Sequence, residues 1–167
     1  MEKDTCFLKV LVIEPDSDML DLFEDVMREV GHDVTKVSRY SSAILEASGG
    51  DFDVIIAEVG TPGLMGPEIL AWLRRLQPNA LIAAMTSFGT ERTAREAFEE
   101  GADYYIAKPI QMESLKDLIS RLVRDKMKSQ AKGGHRISGV GGSEQVQGGA
   151  SPTRKAQKPA FNCRNDT

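Results

Sequence analysis

Apolar residues in the first 126 positions of this chain follow two alternating rhythms. Near-continuous apolar runs at Phe7 to Ile13, Val54 to Ala57, Leu81 to Met85 and Tyr104 to Ala107 predict strands, and the first suits a strand covered on both faces. Asp33 to Val37 is a weaker strand of the same kind. Between these runs apolar positions recur at helical spacing. From Ser17 to Val30 the stripe is Met19, Leu20, Leu22, Phe23, Val26, Met27 and Val30. Asp16 is placed to cap that helix and Gly31 to stop it. A short helix opens at Ser41 or Ser42 and ends at Gly49-Gly50. Pro67 to Leu76 is a helix with proline in its first turn and Pro78 beyond its end. Thr90 to Glu100 is a helix stopped by Gly101. Met112 to about Met127 turns Leu115, Leu118, Ile119 and Leu122 inward.

Strand and helix thus alternate through five units. That order predicts an α/β fold, a doubly wound five-stranded parallel sheet with helices on both faces. Crossovers in such sheets are right-handed, and the site lies at the carboxyl ends of the strands. The polar residues falling there are Glu14, Asp16, Glu58, Thr86, Ser87 and Lys108. Blander roles stay open for several: Asp16 as a helix cap, Thr86 as a strand-end hydroxyl, Tyr105 as packing, Lys108 as a surface lysine, Glu58 as drift without a role.

This ordered set resembles the receiver domain of two-component response regulators over residues 7–126, with its (βα)5 flavodoxin-like fold. The resemblance rests on Glu58 and the following loop Gly60-Thr61-Pro62-Gly63-Leu64-Met65-Gly66, which shares its Pro and last Gly with a family loop. It rests also on Gly101-Ala102-Asp103 before the last strand and on Lys108-Pro109 after it. The resemblance implies that Glu58 takes the phosphoacceptor position, with Glu14 and Asp16 in the acidic pocket. Thr86 and Tyr105 take the switch positions, and Lys108 with Pro109 the phosphate-sensing pair. A Mg²⁺ site implied at Glu14, Asp16, Glu58 and Gly60 is weakened. Pro15 stands where the family has a second acid, and Glu58 stands where it has Asp. Glutamate reaches further by a methylene, and small errors of reach are costly in an in-line transfer. The expected function is therefore a stand-alone, atypical receiver in phosphorelay signalling, acting by protein–protein interaction without the usual Asp phosphorylation. It is not an enzyme. A sensor histidine kinase or another signalling protein is the implied partner, and a homodimer through the fourth helix, fifth strand and fifth helix is a further option.

Two alternatives remain. One is a phosphorylatable receiver using Glu58 or Asp16; the other is an unrelated doubly wound cofactor binder. Against the second, the chain has no GxGxxG, GxxxxGK[ST] or GxSxG motif.

Charge changes the picture only at the C-terminus. Residues 1–126 hold 14 Lys and Arg against 23 Asp and Glu, while residues 127–167 hold 7 against 2. With its scattered glycines, the segment 131–167 reads as a flexible basic tail after a domain spanning 1–130. Nucleic-acid binding by that tail is only weakly signalled. Cys6 and Cys163 form no CxxC pair, there is no signal-peptide pattern at Met1, and no apolar run approaches the ~18 residues of a membrane span. Those features suit the cytoplasm. His32 and His135 read as surface residues without metal-site spacing.

Overall fold

The computed structural model describes residues 7–60 and 66–133. The loop 61–65 with Pro62, the segment 134–167 with His135, and both cysteines lie outside the described residues, and so does most of the span read as a tail.

The elements run β1 (Lys9–Ile13), α1 (Ser17–Glu29), β2 (Asp33–Val37), α2 (Tyr40–Gly49), β3 (Val54–Glu58), α3 (Glu68–Leu76), β4 (Leu81–Thr86), α4 (Glu91–Glu99), β5 (Tyr104–Ala107) and α5 (Met112–Gly133). The strands form one sheet in the order β2-β1-β3-β4-β5, every pair parallel. The sequence order reverses direction at β1 and β3, which carry Glu14 and Glu58 at their ends. That is where a doubly wound sheet opens a crevice.

The apolar runs explain both faces. Val10, Val12, Ile56 and Met85 point to one side and pack with Phe23 and Met27 of α1 and Leu115, Ile119 and Leu122 of α5. Leu11, Ile13, Ile55 and Ala57 point to the other and pack with Ala43 of α2, Ile69, Leu70 and Leu73 of α3, and Ala97 of α4. Alternate residues of one strand thus serve two cores, because strand side chains alternate faces. Truncating a fully buried leucine such as Leu73 to alanine in such a core costs about 2–5 kcal/mol.

Local chemistry sets the helix ends. Asp16 accepts from the backbone N–H groups of Asp18 (2.9 Å) and Met19 (3.2 Å) and starts α1. Gly31 follows with φ +85°, a left-handed value that glycine adopts without strain. Thr90 and Thr93 exchange side-chain and backbone bonds at the start of α4, a reciprocal cap.

Four expectations change. Phe7 precedes β1 and is exposed, as is Val30, which follows α1 rather than joining its buried stripe. Helix α5 continues past Met127 to Gly133, into positions assigned to the tail, because residues 128–132 contain no helix breaker and helix does not require apolar residues. His32 is buried, not on the surface. It lies in the turn between α1 and β2, its N–H donates to Met27 O (3.0 Å), and its Nδ1 has no hydrogen-bond partner. Burial holds its pKa below the usual histidine value.

Candidate functional site

The sheet delivers the polar residues to one end. Glu14 follows β1 directly and continues its ladder, its N–H donating to Val37 O at 3.0 Å. Glu58 is the last residue of β3 and Thr86 the last of β4. Lys108 follows β5, and its N–H donates to Thr86 O at 2.8 Å. Parallel strands in register leave these side chains at the same level.

The Lys108 ammonium closes the pocket. Its Nζ donates to Glu14 Oε2 at 2.6 Å and to Glu58 Oε2 at 2.5 Å. The Lys108 side chain is 14% exposed, the Glu58 side chain 4% and the Glu14 side chain 0%, so these ion pairs are shielded from water. Glu14 Oε1 also accepts from Asp16 N (3.1 Å), and Glu58 Oε1 from Ser87 Oγ (3.4 Å). The Glu14 carboxyl is raised to about 7, first by burial and then by its bond with Glu58, and the bond from Lys108 only partly opposes this. Burial works against the Lys108 ammonium, yet its bonds to Glu14 and Glu58 outweigh that and raise its pKa.

Tyr40, at the start of α2, was not foreseen. Its hydroxyl donates to the Glu58 backbone carbonyl at 2.5 Å and so fixes the strand end that carries the carboxylate. Burial, then the charges of Glu58 and Glu14, push its phenol up to about 12. A short helix-opening aromatic gave no sign of that bond in the sequence.

The remaining site residues are dispersed around this cluster. Thr86 is buried, and its Oγ1 accepts from Phe88 N at 3.1 Å. Gly60 has φ +81°, and a Cβ there would lie 3.5 Å from Thr86 Oγ1. Tyr105 is half-buried, bonds Thr93 Oγ1 through its hydroxyl at 2.7 Å, and tilts against Phe98 with ring centroids 6.5 Å apart. Pro109 is exposed and follows Lys108 through a cis peptide. Asp16 touches the cluster through its backbone N–H, while its Oδ1 is turned to the α1 backbone.

This donor set does not fit the metal that the resemblance implies. Mg²⁺ asks for near-octahedral oxygen ligands. Pro15 offers no side-chain oxygen, Asp16 caps a helix, and Glu14 and Glu58 both hold Lys108. Among the described residues no group of three or more His, Cys, Asp or Glu is placed to hold an ion. Of the expected ligand set Glu14, Asp16, Glu58 and Gly60, the Asp16 carboxylate caps α1 and the two glutamates hold Lys108. Among the described residues, too, no helix is long and apolar enough to cross a membrane.

Comparison with known proteins agrees with the geometry. The family model of the response regulator receiver domain matches residues 10–120, and the chain belongs to that family. The chain is 30% identical over 113 residues to the response regulator protein FleR of Pseudomonas aeruginosa, covering 68% of this chain and 24% of that protein. It is 31% identical over 108 residues to the transcriptional regulatory protein TcrA of Mycobacterium tuberculosis, covering 65% and 43%. The chain thus spans less than half the length of either relative. A response regulator from Burkholderia pseudomallei, solved with a phosphorylated aspartic acid, a calcium ion and citrate, superposes with TM-score 0.64 at 26% identity, covering 76% of this chain and 73% of that one. The signal receiver domain of a putative LuxO repressor protein from Vibrio parahaemolyticus, at 20% identity, shares the fold with TM-score 0.69, covering 77% and 99%. This is a response regulator receiver domain of two-component signalling.

Proposed function

We propose that this receiver signals through protein–protein contact without carrying an acyl phosphate. One observation supports the reading above others: Glu58, at the acceptor strand end, is engaged by Lys108 at 2.5 Å, and Pro15 deprives the pocket of an acid. A carboxylate one methylene longer than Asp, already bound to a cation, is poorly set for in-line attack, where displacement by ~1 Å can cost ~100-fold. Asp16 is no substitute nucleophile, since its carboxylate caps α1.

The Glu58–Lys108 pair stands in part for the charge a phosphoryl group would bring. A phosphoryl group carries about −1.5 to −2, a carboxylate about −1. One charge-assisted bond contributes ~1.5–3 kcal/mol, whereas driving a switch from 1:99 to 99:1 needs ~5.5 kcal/mol. The pair biases the domain and leaves it responsive to a partner. The output surface in this reading is α4, β5 and α5, where Phe98 is exposed against Tyr105. A sensor histidine kinase, another signalling protein or a second copy of the chain would bind there.

Incubation with acetyl phosphate and Mg²⁺, followed by intact-mass measurement, tests the proposal. The expected spectrum shows the unmodified mass alone. A phosphate adduct on most of the protein would overturn the reading.

A further inference from the structure

We propose that the resident cation of this pocket is the ammonium of Lys108, and that the pocket takes no divalent metal. The inference rests on the reading of Glu14, Glu58 and Lys108 as the receiver pocket, and it goes further by assigning what neutralises it. A receiver pocket of the family pattern has three acids and one lysine, a net charge matched to a dication. Here the facing groups are Glu14 and Glu58 against Lys108, two carboxylates and one ammonium. With both glutamates ionised, the remaining charge is half of what a dication carries. The ammonium has three protons to donate, and Oε2 of each glutamate accepts one at 2.5–2.6 Å. The other oxygens are also used: Glu14 Oε1 by the backbone of Asp16, and Glu58 Oε1 by Ser87. An incoming Mg²⁺ would have to shed strongly held water, displace a tethered ammonium from both carboxylates, and find its remaining ligands where Pro15 has none.

Lys108 is moreover fixed from behind. Its backbone N–H is bonded to Thr86 O at 2.8 Å, so the residue that follows β5 is still tied to the end of β4. A cation held at such an effective concentration outcompetes a free one at millimolar levels.

The test is a titration of the full chain with Mg²⁺ and, separately, Ca²⁺ by isothermal calorimetry, together with nitrogen NMR of the Lys108 ammonium. Up to about 10 mM metal the wild-type protein is expected to show no saturable heat, and the ammonium resonance to stay unchanged. One-to-one binding in that range, or loss of the ammonium signal on adding metal, would overturn the proposal. Lys108→Met removes the tethered cation and leaves both carboxylates. It is expected to gain at least about tenfold in Mg²⁺ affinity over wild type. If Lys108→Met folds and stays as indifferent to metal as wild type, the ammonium is not what fills the site, and the proposal fails. If it does not fold, the wild-type titration and NMR decide alone. Intact-mass measurement on the same samples separates the two ideas. Metal binding without phosphate uptake sinks this inference only, and phosphate uptake sinks the proposed function.

Discussion

Glu14 carries the clearest consequence of single-residue chemistry. Its carboxyl is raised to about 7 from an ordinary 4.5, first by burial and then by its bond with Glu58. A carboxyl whose folded pKa lies above its unfolded value binds its proton more tightly in the native state. Its contribution to stability is therefore greatest below the unfolded pKa and is lost as pH rises from about 4.5 through about 7. His32 runs the other way: burial lowers its folded pKa, so stability falls as pH drops through the unfolded histidine value and below. The two slopes overlap, so the variant Glu14→Gln is needed to separate them. Relative to Glu14→Gln, the wild-type protein is expected to lose about 2–3 kcal/mol between about pH 5 and about pH 8, measured by urea denaturation. A difference that does not change with pH would show that Glu14 is not proton-linked to folding. At this scale most of the pocket was legible. Glu14, Glu58, Thr86 and Lys108 are polar residues closing apolar runs, and a parallel sheet collects such ends. Tyr40 and His32 were not legible. The first acts on a backbone carbonyl 18 positions away, and the second is buried by packing around a turn that carries no periodicity.

At the scale of elements, apolar rhythm located every strand and helix, since each had to bury a face of known period. What it could not locate were the polar devices that join them. Arg74 of α3 is one. Its Nη1 donates to Ala80 O at 2.6 Å and Pro78 O at 3.3 Å, while Nη2 reaches Gly101 O at 2.9 Å and Asp103 Oδ2 at 2.6 Å. Asp103 Oδ2 in turn accepts from Ile82 N at 2.9 Å. One guanidinium thus ties α3 to the start of β4 and to the turn between α4 and β5. Gly101 allows this approach, because it has φ +107° and a Cβ there would come within 3.3 Å of Arg74 Cβ and Cγ. Arg74→Met keeps the apolar stem and removes the donors. It is expected to destabilise the domain by about 2–4 kcal/mol, since the carbonyls it serves lose a charged donor. Arg74→Lys should recover less than half of that, because a single ammonium cannot reproduce a planar fork. Full recovery with lysine, in the same denaturation experiment, would reduce Arg74 to a point charge.

On the proposed reading, the whole molecule raises the question of whether the family's chemistry is lost from the fold or only from two positions. The sheet order, the buried Thr86, Tyr105 against α4, and Lys108 at the end of β5 form the frame of a receiver. Phosphoryl transfer asks a protein for little covalent work and much positioning and charge neutralisation. The frame supplies the positioning. On the proposed reading, the charge falls short at Pro15 and the reach at Glu58. Pro15 is exposed at the junction of β1 and α1, outside both cores, so Pro15→Asp should be tolerated by the fold. It would bring the facing charge back to three carboxylates and one ammonium. Glu58→Asp shortens the acceptor by a methylene and draws its carboxylate back from Lys108. Together they are expected to give a protein that binds Mg²⁺ and takes phosphate from acetyl phosphate. Glu58→Asp alone should bind metal at least about tenfold more weakly than the pair, because one ligand is still missing. Metal titration followed by the fluorescence of Trp72, which stands 51% exposed on α3, and intact mass after acetyl phosphate treatment read the two gains separately. A double variant that folds as the parent does, yet neither binds Mg²⁺ nor gains phosphate, would mean that the pocket of Glu14, Glu58 and Lys108 has departed from the receiver site by more than two side chains.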